Sequence, residues 1–175
     1  MYKIFCLYLI LVLASVTSFS QTTKTHTLFK DKSKFVILQD KSQIESIFSK
    51  NYKLTTLIKS DYVIIEDLFI PVIDSFNIKG EKRMRELARP YIKIDRNEFI
   101  IDTSRYKFQI IAVINHKGEK SVWINAFCND HNMNWHNMSG KKNIVLVDDG
   151  GICYFNLTIN LTTKKLLSFI INGDA

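Results

Sequence analysis

A chain of 175 residues with 24 lysines and arginines against 17 acidic residues has a formal net charge of +7, and the excess is spread along the sequence, which argues against a polyanion-binding tail. Its length suits a single domain with one core, burying about two-thirds of the surface its unfolded chain exposes. No apolar run approaches the roughly 20 residues needed to cross a hydrocarbon core, so stable membrane insertion is not expected.

Residues 1–20 have the three parts of an export signal. Lys3 supplies the positive start, Ile4 to Ala14 form an unbroken apolar run, and Ser18-Phe19-Ser20 offers small residues at the cleavage positions. Gln21 is then the first residue of a mature protein expected to be secreted or periplasmic. Cys6 lies inside the apolar run and leaves with it. Cys128 and Cys153 remain, and two cysteines in an exported chain allow one disulfide, with two buried free thiols as the alternative. Closing that loop would remove roughly 3 kcal/mol of unfolded-state entropy.

Residues 21–34 are polar and Thr/Lys-rich and read as a flexible start, leaving 35–175 as the domain. Phe35 to Leu38 is strand-like. Asp40 or Ser42 can cap a short helix through Lys50, with Ile44, Ile47 and Phe48 on one face. Ile64, Leu68, Val72 and Phe76 recur every four residues and predict a longer helix over Ser60 to Asn77. The β-branched Val63-Ile64-Ile65 and the internal Pro71 count against it and leave a strand followed by a turn as the alternative. Gly80 is expected to break the pattern, with Glu81 to Ala88 forming one or two further helical turns before Pro90.

From Tyr91 the pattern changes to short apolar runs rich in Ile, Val, Phe and Tyr, as expected of antiparallel strands. Phe108 to Asn115 and Ser121 to Phe127 flank His116-Lys117-Gly118-Glu119 and should pair as a hairpin. Asn143 to Val147 and Ile152 to Ile159 flank Asp148-Asp149-Gly150-Gly151, a second hairpin signature, and Leu166 to Ile171 is a last strand. The expectation is an α+β domain with N-terminal helices packed on a curved antiparallel sheet, in a cystatin-like or NTF2-like arrangement.

The stretches Asn115 to Cys128, with Lys117-Gly118-Glu119-Lys120 and Val122-Trp123-Ile124-Asn125, then Asp149-Gly150-Gly151 and Asn172-Gly173-Asp174-Ala175, resemble small exported bacterial proteins of uncharacterised function. The resemblance covers mainly residues 105–175. It implies export and a compact sheet-containing domain, and it brings no catalytic residues.

The densest group of chemically useful side chains is Asn129 to Lys142, where His131, Met133, Trp135, His136 and Met138 stand among asparagines between two strands. With Tyr154 and Asn156 on the polar face of the following strand, His131, Trp135 and His136 are the candidate binding residues. A zinc site would need Cys128, His131 and His136, with Cys153 as a fourth ligand, but Cys-x2-His-x4-His is not a recognised zinc spacing. The Asp148-Asp149 pair is explained as a turn without calcium. No metal or other cofactor is therefore assigned.

A hydrolase could use Cys128 or Cys153 as nucleophile with His131 or His136 as base, or an Asp/His pair, but no nucleophile elbow, phosphate loop or zinc-protease helix is present, and no catalytic residue is assigned. Lys79 to Arg96 is the most basic stretch and reads as a solvated helix face or a contact for an anionic envelope surface or polysaccharide. It lacks the stacking aromatics of a nucleic-acid site, so no nucleic-acid partner is expected. The sequons at Asn137, Asn156 and Asn160 matter only in a host that glycosylates. The sequence thus predicts a non-catalytic binding or interaction module of the cell envelope or extracellular space, whose partner is a protein, a glycan or a small molecule, with a small secreted hydrolase as the alternative.

Overall fold

The computed structural model describes residues 28–128, 143–147 and 149–173. In chain order these form β1 (Phe35–Ile37), α1 (Lys41–Ile47), β2 (Tyr52–Leu54), α2 (Lys59–Leu87), β3 (Tyr106–Asn115), β4 (Lys120–Cys128), β5 (Tyr154–Asn160) and β6 (Lys165–Ile171). The fold is α+β, with one long helix and a six-stranded sheet in the order β1-β3-β4-β5-β6, in which β2 also pairs with β3.

Two parts of the expected architecture are corrected. The helices are not N-terminal to the sheet, because β1 precedes α1 and β2 precedes α2. The sheet is mixed, because β1 runs parallel to β3 while the other pairs are antiparallel. Both departures come from one outer edge of β3 that is filled from its two ends. β1 pairs with Phe108 to Ile110, α1 carries the chain away, and β2 returns antiparallel against Val113 to Asn115. The two short strands converge where Leu38 N–H donates to Ile110 O (2.8 Å) and Thr55 N–H donates to Ala112 O (2.9 Å).

Asp40 caps α1, its Oδ1 accepting from the Ser42 amide (2.9 Å) and hydroxyl (2.8 Å). The Ser42 hydrogen bonds, the amide's first, hold the Asp40 carboxyl below its ordinary value of 3.8. The helix ends at Ile47, one turn earlier than the pattern suggested.

The β-branched run and Pro71 do not prevent α2, and Gly80 does not end it; the helix continues unbroken from Lys59 to Leu87. Ile65, Phe69 and Ile73 are buried on one stripe against Phe108, Ile110, Ile124, Phe155 and Leu157 of the sheet. Each such burial is worth about 1.5–3 kcal/mol, and together they exceed the propensity cost of a few residues. Pro71 is exposed, so water can satisfy the carbonyl that its missing N–H leaves behind. Gly80 is buried because the returning chain crosses it; a Cβ there would lie 2.1 Å from the Phe99 carbonyl oxygen. Asn77 fixes that return, donating from Nδ2 to Ile101 O (2.9 Å) and accepting from Ile101 N–H at Oδ1 (2.8 Å). At the other end, Asp61 accepts from Ile58 N–H (2.8 Å) and pairs with Lys120 at 2.5 Å, pinning the helix start to β4.

The β3–β4 hairpin forms as expected, with Gly118 at φ 79° in its turn. The second expected hairpin does not form. β5 takes the free edge of β4, in register from Ser121↔Asn160 to Phe127↔Tyr154, and pairs with β6 on its other side, so Asn143 to Val147 has no edge to join. Gly150 (φ 120°) and Gly151 (φ 53°) instead lead into a 3₁₀ turn over Gly151–Cys153. Cys128 and Cys153 are joined by a disulfide with Cα atoms 4.9 Å apart, at the end of the β4–β5 ladder.

The displaced segment lies over the sheet face opposite α2. Gln109, fully buried, donates from Nε2 to Asn143 O (2.7 Å) and accepts from Val145 N–H (2.9 Å), while Asn125 Nδ2 donates to Val145 O (2.7 Å) and to Gln109 Oε1 (3.1 Å). Two side-chain amides thereby replace a strand's backbone ladder. Ile144 packs there with Leu38, Ile44, Ile111, Val113 and Trp123 in a second apolar cluster.

Candidate functional site

On the α2 face, a cleft of about 490 Å³ opens between the middle of α2, the segment 28–34 and the turn at 101–104. Its size falls in the range of small-molecule sites. The three walls have separate origins. Phe69, Ile70, Ile73, Asp74 and Asn77 come from α2 at helical spacing, Phe108 comes from β3, and Ile101 to Ser104 are placed by the Asn77 amide pair. The remaining wall begins at Leu28; the neighbouring Phe29 ring packs edge-on to Phe35 (5.5 Å) and lies 6.3 Å from Phe108. Phe29 N–H also donates to the buried Glu66 at 3.3 Å, so this part of the expected flexible start is packed on the core.

The floor is apolar and the rim is charged. Asp31, Asp74 and Asp102 supply three carboxylates, with Lys34 as the one cation among them. Lys34 Nζ donates to Ser104 O at 2.8 Å, which ties the segment 28–34 to the opposite wall. Asp31 Oδ1 accepts from Ser33 N–H (2.9 Å) and Asp102 Oδ1 from Ser104 N–H (3.0 Å). The Ser33 hydroxyl first and its amide second hold the Asp31 carboxyl below 3.8; Ser104 does the same for Asp102, with Arg105 and Lys34 adding weaker attraction. Both rim carboxylates are therefore ionised at neutral pH, and the mouth is acidic on a chain that is basic as a whole.

Such an arrangement can bind and orient an apolar body, with carboxylates available to a polar or cationic end. Among the described residues no group of three or more His, Cys, Asp and Glu side chains could hold a metal ion. The disulfide takes both Cys128 and Cys153, so neither is a free thiol for nucleophilic or zinc chemistry in this state.

Of the residues singled out from sequence, His131, Trp135 and His136 lie outside the described residues, as does Asp148. Tyr154 and Asn156 are half-buried on β5, with side chains on the face opposite the cleft. The Tyr154 ring covers Gly150 so closely that a Cβ on Gly150 would come within 2.4 Å of it. The structure brings neither residue to the cleft. Sequence reading missed Asp31, Asp74 and Asp102 as a group, since they come from three segments with no common motif. The Asp-x-Ser spacing of Asp31-Lys32-Ser33 and Asp102-Thr103-Ser104 was the available signal, and it marks turns, not a site.

Comparison with known proteins yields no match: no family model, no curated protein and no solved structure is similar to this chain.

Proposed function

We propose that this protein is a non-catalytic binding module of the cell envelope or extracellular space, and that the cleft beside α2 holds a small molecule with an apolar body and a positively charged end. The observation that carries the proposal is the cleft itself, an apolar floor of Phe69, Ile73, Ile101 and Phe108 beneath a rim of three aspartates and one lysine. An apolar floor rewards burial of hydrocarbon, and the carboxylates favour a cation over an anion. Export belongs to the same proposal and is supported by the Lys3, Ile4–Ala14 and Ser18-Phe19-Ser20 pattern, together with a disulfide, which suits an oxidising compartment. The cystatin-like or NTF2-like arrangement is supported by the single long helix across one face of the β3–β6 antiparallel run, and parallel β1 departs from it.

Calorimetric titration with n-octylammonium, n-octanol and n-octanoate tests the cleft. One molecule of octylammonium per chain is expected, bound at least several-fold more tightly than octanoate, with affinity reduced about tenfold by Ile70→Trp, which fills the cleft from the half-buried helix wall. Absence of binding by all three probes, or binding that Ile70→Trp leaves unchanged, would remove the cleft as the site. Export is tested by the intact mass of protein recovered outside the cytoplasm; a chain beginning at Gln21 is expected, and one retaining Ile4–Ala14 would overturn it.

A further inference from the structure

The C-terminal end of α2 and the chain just beyond it form an exposed tip. Every residue from Arg85 to Lys93 is exposed, and these include three large apolar side chains: Leu87 at 43% exposure, Tyr91 at 99% and Ile92 at 58%. Single exposed apolar residues are ordinary on protein surfaces; three within six positions, flanked by cations, call for an explanation. Pro90 halts the helix and helps to set Tyr91 and Ile92 at the apex.

The charges around this tip divide by position. On the side nearer the body Arg96 pairs with Glu81 at 2.5 Å and the Arg83 guanidinium sits 6.0 Å from the Phe99 ring centroid, while Glu86, the one acidic residue of the tip, lies 3.8 Å from Lys82 one turn back. At the apex, Arg89 donates from Nη1 to Glu86 O (2.9 Å) and Ala88 O (2.8 Å), bonds to neutral carbonyls that leave its positive charge uncompensated. Arg85, Arg89 and Lys93 therefore present positive charge beside Leu87, Tyr91 and Ile92.

From this juxtaposition we propose that the tip from Arg85 to Lys93 docks the protein onto the surface of a membrane containing anionic lipid. The three apolar side chains enter the headgroup boundary, and the three cations meet lipid phosphates. Two features favour lipid over an acidic polysaccharide. A polysaccharide would satisfy the cations yet leave Leu87 and Ile92 in water, whereas an interface takes both sets at once. Tyrosine, with an apolar ring and a polar hydroxyl, suits the boundary between the two phases. Contact of this kind is peripheral and reversible, consistent with no helix among the described residues being long and apolar enough to cross a membrane. It is separate from the cleft and does not depend on it.

The test is co-sedimentation of the exported protein, its mass confirming loss of Ile4–Ala14, with vesicles of phosphatidylcholine alone and with 30 mol% phosphatidylglycerol (about a third of the lipid). Binding to the anionic vesicles is expected to be at least tenfold stronger than to the neutral ones and to weaken as salt is raised. Tyr91→Ser with Ile92→Ser should weaken it about tenfold, and Arg85→Glu with Lys93→Glu should abolish the preference for anionic lipid. Lys30→Glu with Lys32→Glu makes the same charge change at exposed positions elsewhere and should alter binding less than twofold. All these positions are exposed, so thermal midpoints should match the parent. The proposal is overturned if the serine pair binds like the parent, if both charge-reversed pairs weaken binding equally, or if soluble alginate binds the tip and loses affinity through the serine pair as the vesicles do.

Discussion

On the α2 face of the sheet, Ile65, Phe69 and Ile73 meet Phe108, Ile124, Phe155 and Leu157 in a continuous apolar layer, and the helix above them makes its own backbone hydrogen bonds apart from the one that Pro71 removes. On the opposite face, the covering segment 143–147 has no backbone ladder, and Gln109 and Asn125 hold it by its peptide groups. The first closure is non-directional and tolerates Pro71 and a β-branched run. The second depends on four hydrogen bonds of defined geometry around two buried amides, and losing one partner leaves the others unsatisfied in a low-dielectric setting. The difference bears on where a ligand site can open. The α2 face can leave a gap beside the helix without losing either wall, and the cleft is that gap.

The comparison is sharpened by one truncation on each face. Phe69→Ala removes a ring that contacts Phe108 at 6.0 Å and Phe155 at 6.2 Å between centroids, and should cost about 3–5 kcal/mol in denaturant unfolding. Gln109→Ala should cost less, about 1–3 kcal/mol, because the apolar layer survives. Its signature is local: the Val145 amide should exchange with solvent at least tenfold faster, while amides in α2 keep their protection relative to global unfolding. Equal losses for the two variants, or a destabilised Gln109→Ala whose Val145 amide stays protected, would break the distinction between the faces.

The same contrast explains what was legible in the sequence. β3 and β4 were readable as short apolar runs rich in β-branched residues, buried nearly throughout because both faces of the sheet are covered there, β5 was readable by its alternation, and the Lys117-Gly118 turn located the first hairpin. The four-residue spacing of Ile64, Leu68, Val72 and Phe76 marked α2 although local propensity opposed it. Asn143 to Val147 was misread as a sheet strand because it has a strand's composition; its attachment is made by side-chain amides, Gln109 and Asn125 within the sheet and Asn172 donating to Val147 O, and the meaning of the first two depends on register. The signal was present as two polar residues inside apolar runs, at Phe108-Gln109-Ile110 and Ile124-Asn125-Ala126, opposite one another once the hairpin is drawn. The cleft was not legible, because its carboxylates come together only through long-range packing.

Gly80 gives the smallest expected effect and the one whose sign is most informative. By helix propensity alone, Gly80→Ala at an interior position of α2 should stabilise the protein by about 1 kcal/mol. The structure demands the opposite sign, since the new methyl would sit 2.1 Å from Phe99 O, 3.0 Å from its carbonyl carbon and 3.1 Å from Ile100 Cδ1. Two of these are backbone atoms that the Asn77–Ile101 pair holds in place, so they cannot swing aside as a flexible side chain would. A net loss of about 1–2 kcal/mol is expected from thermal or denaturant unfolding. Ile101 lines the cleft one residue beyond the clash, so the same variant should also weaken octylammonium binding. A stabilised Gly80→Ala would mean that the returning chain shifts without cost, and then the Asn77–Ile101 pair would not fix the wall that Ile101 gives the cleft.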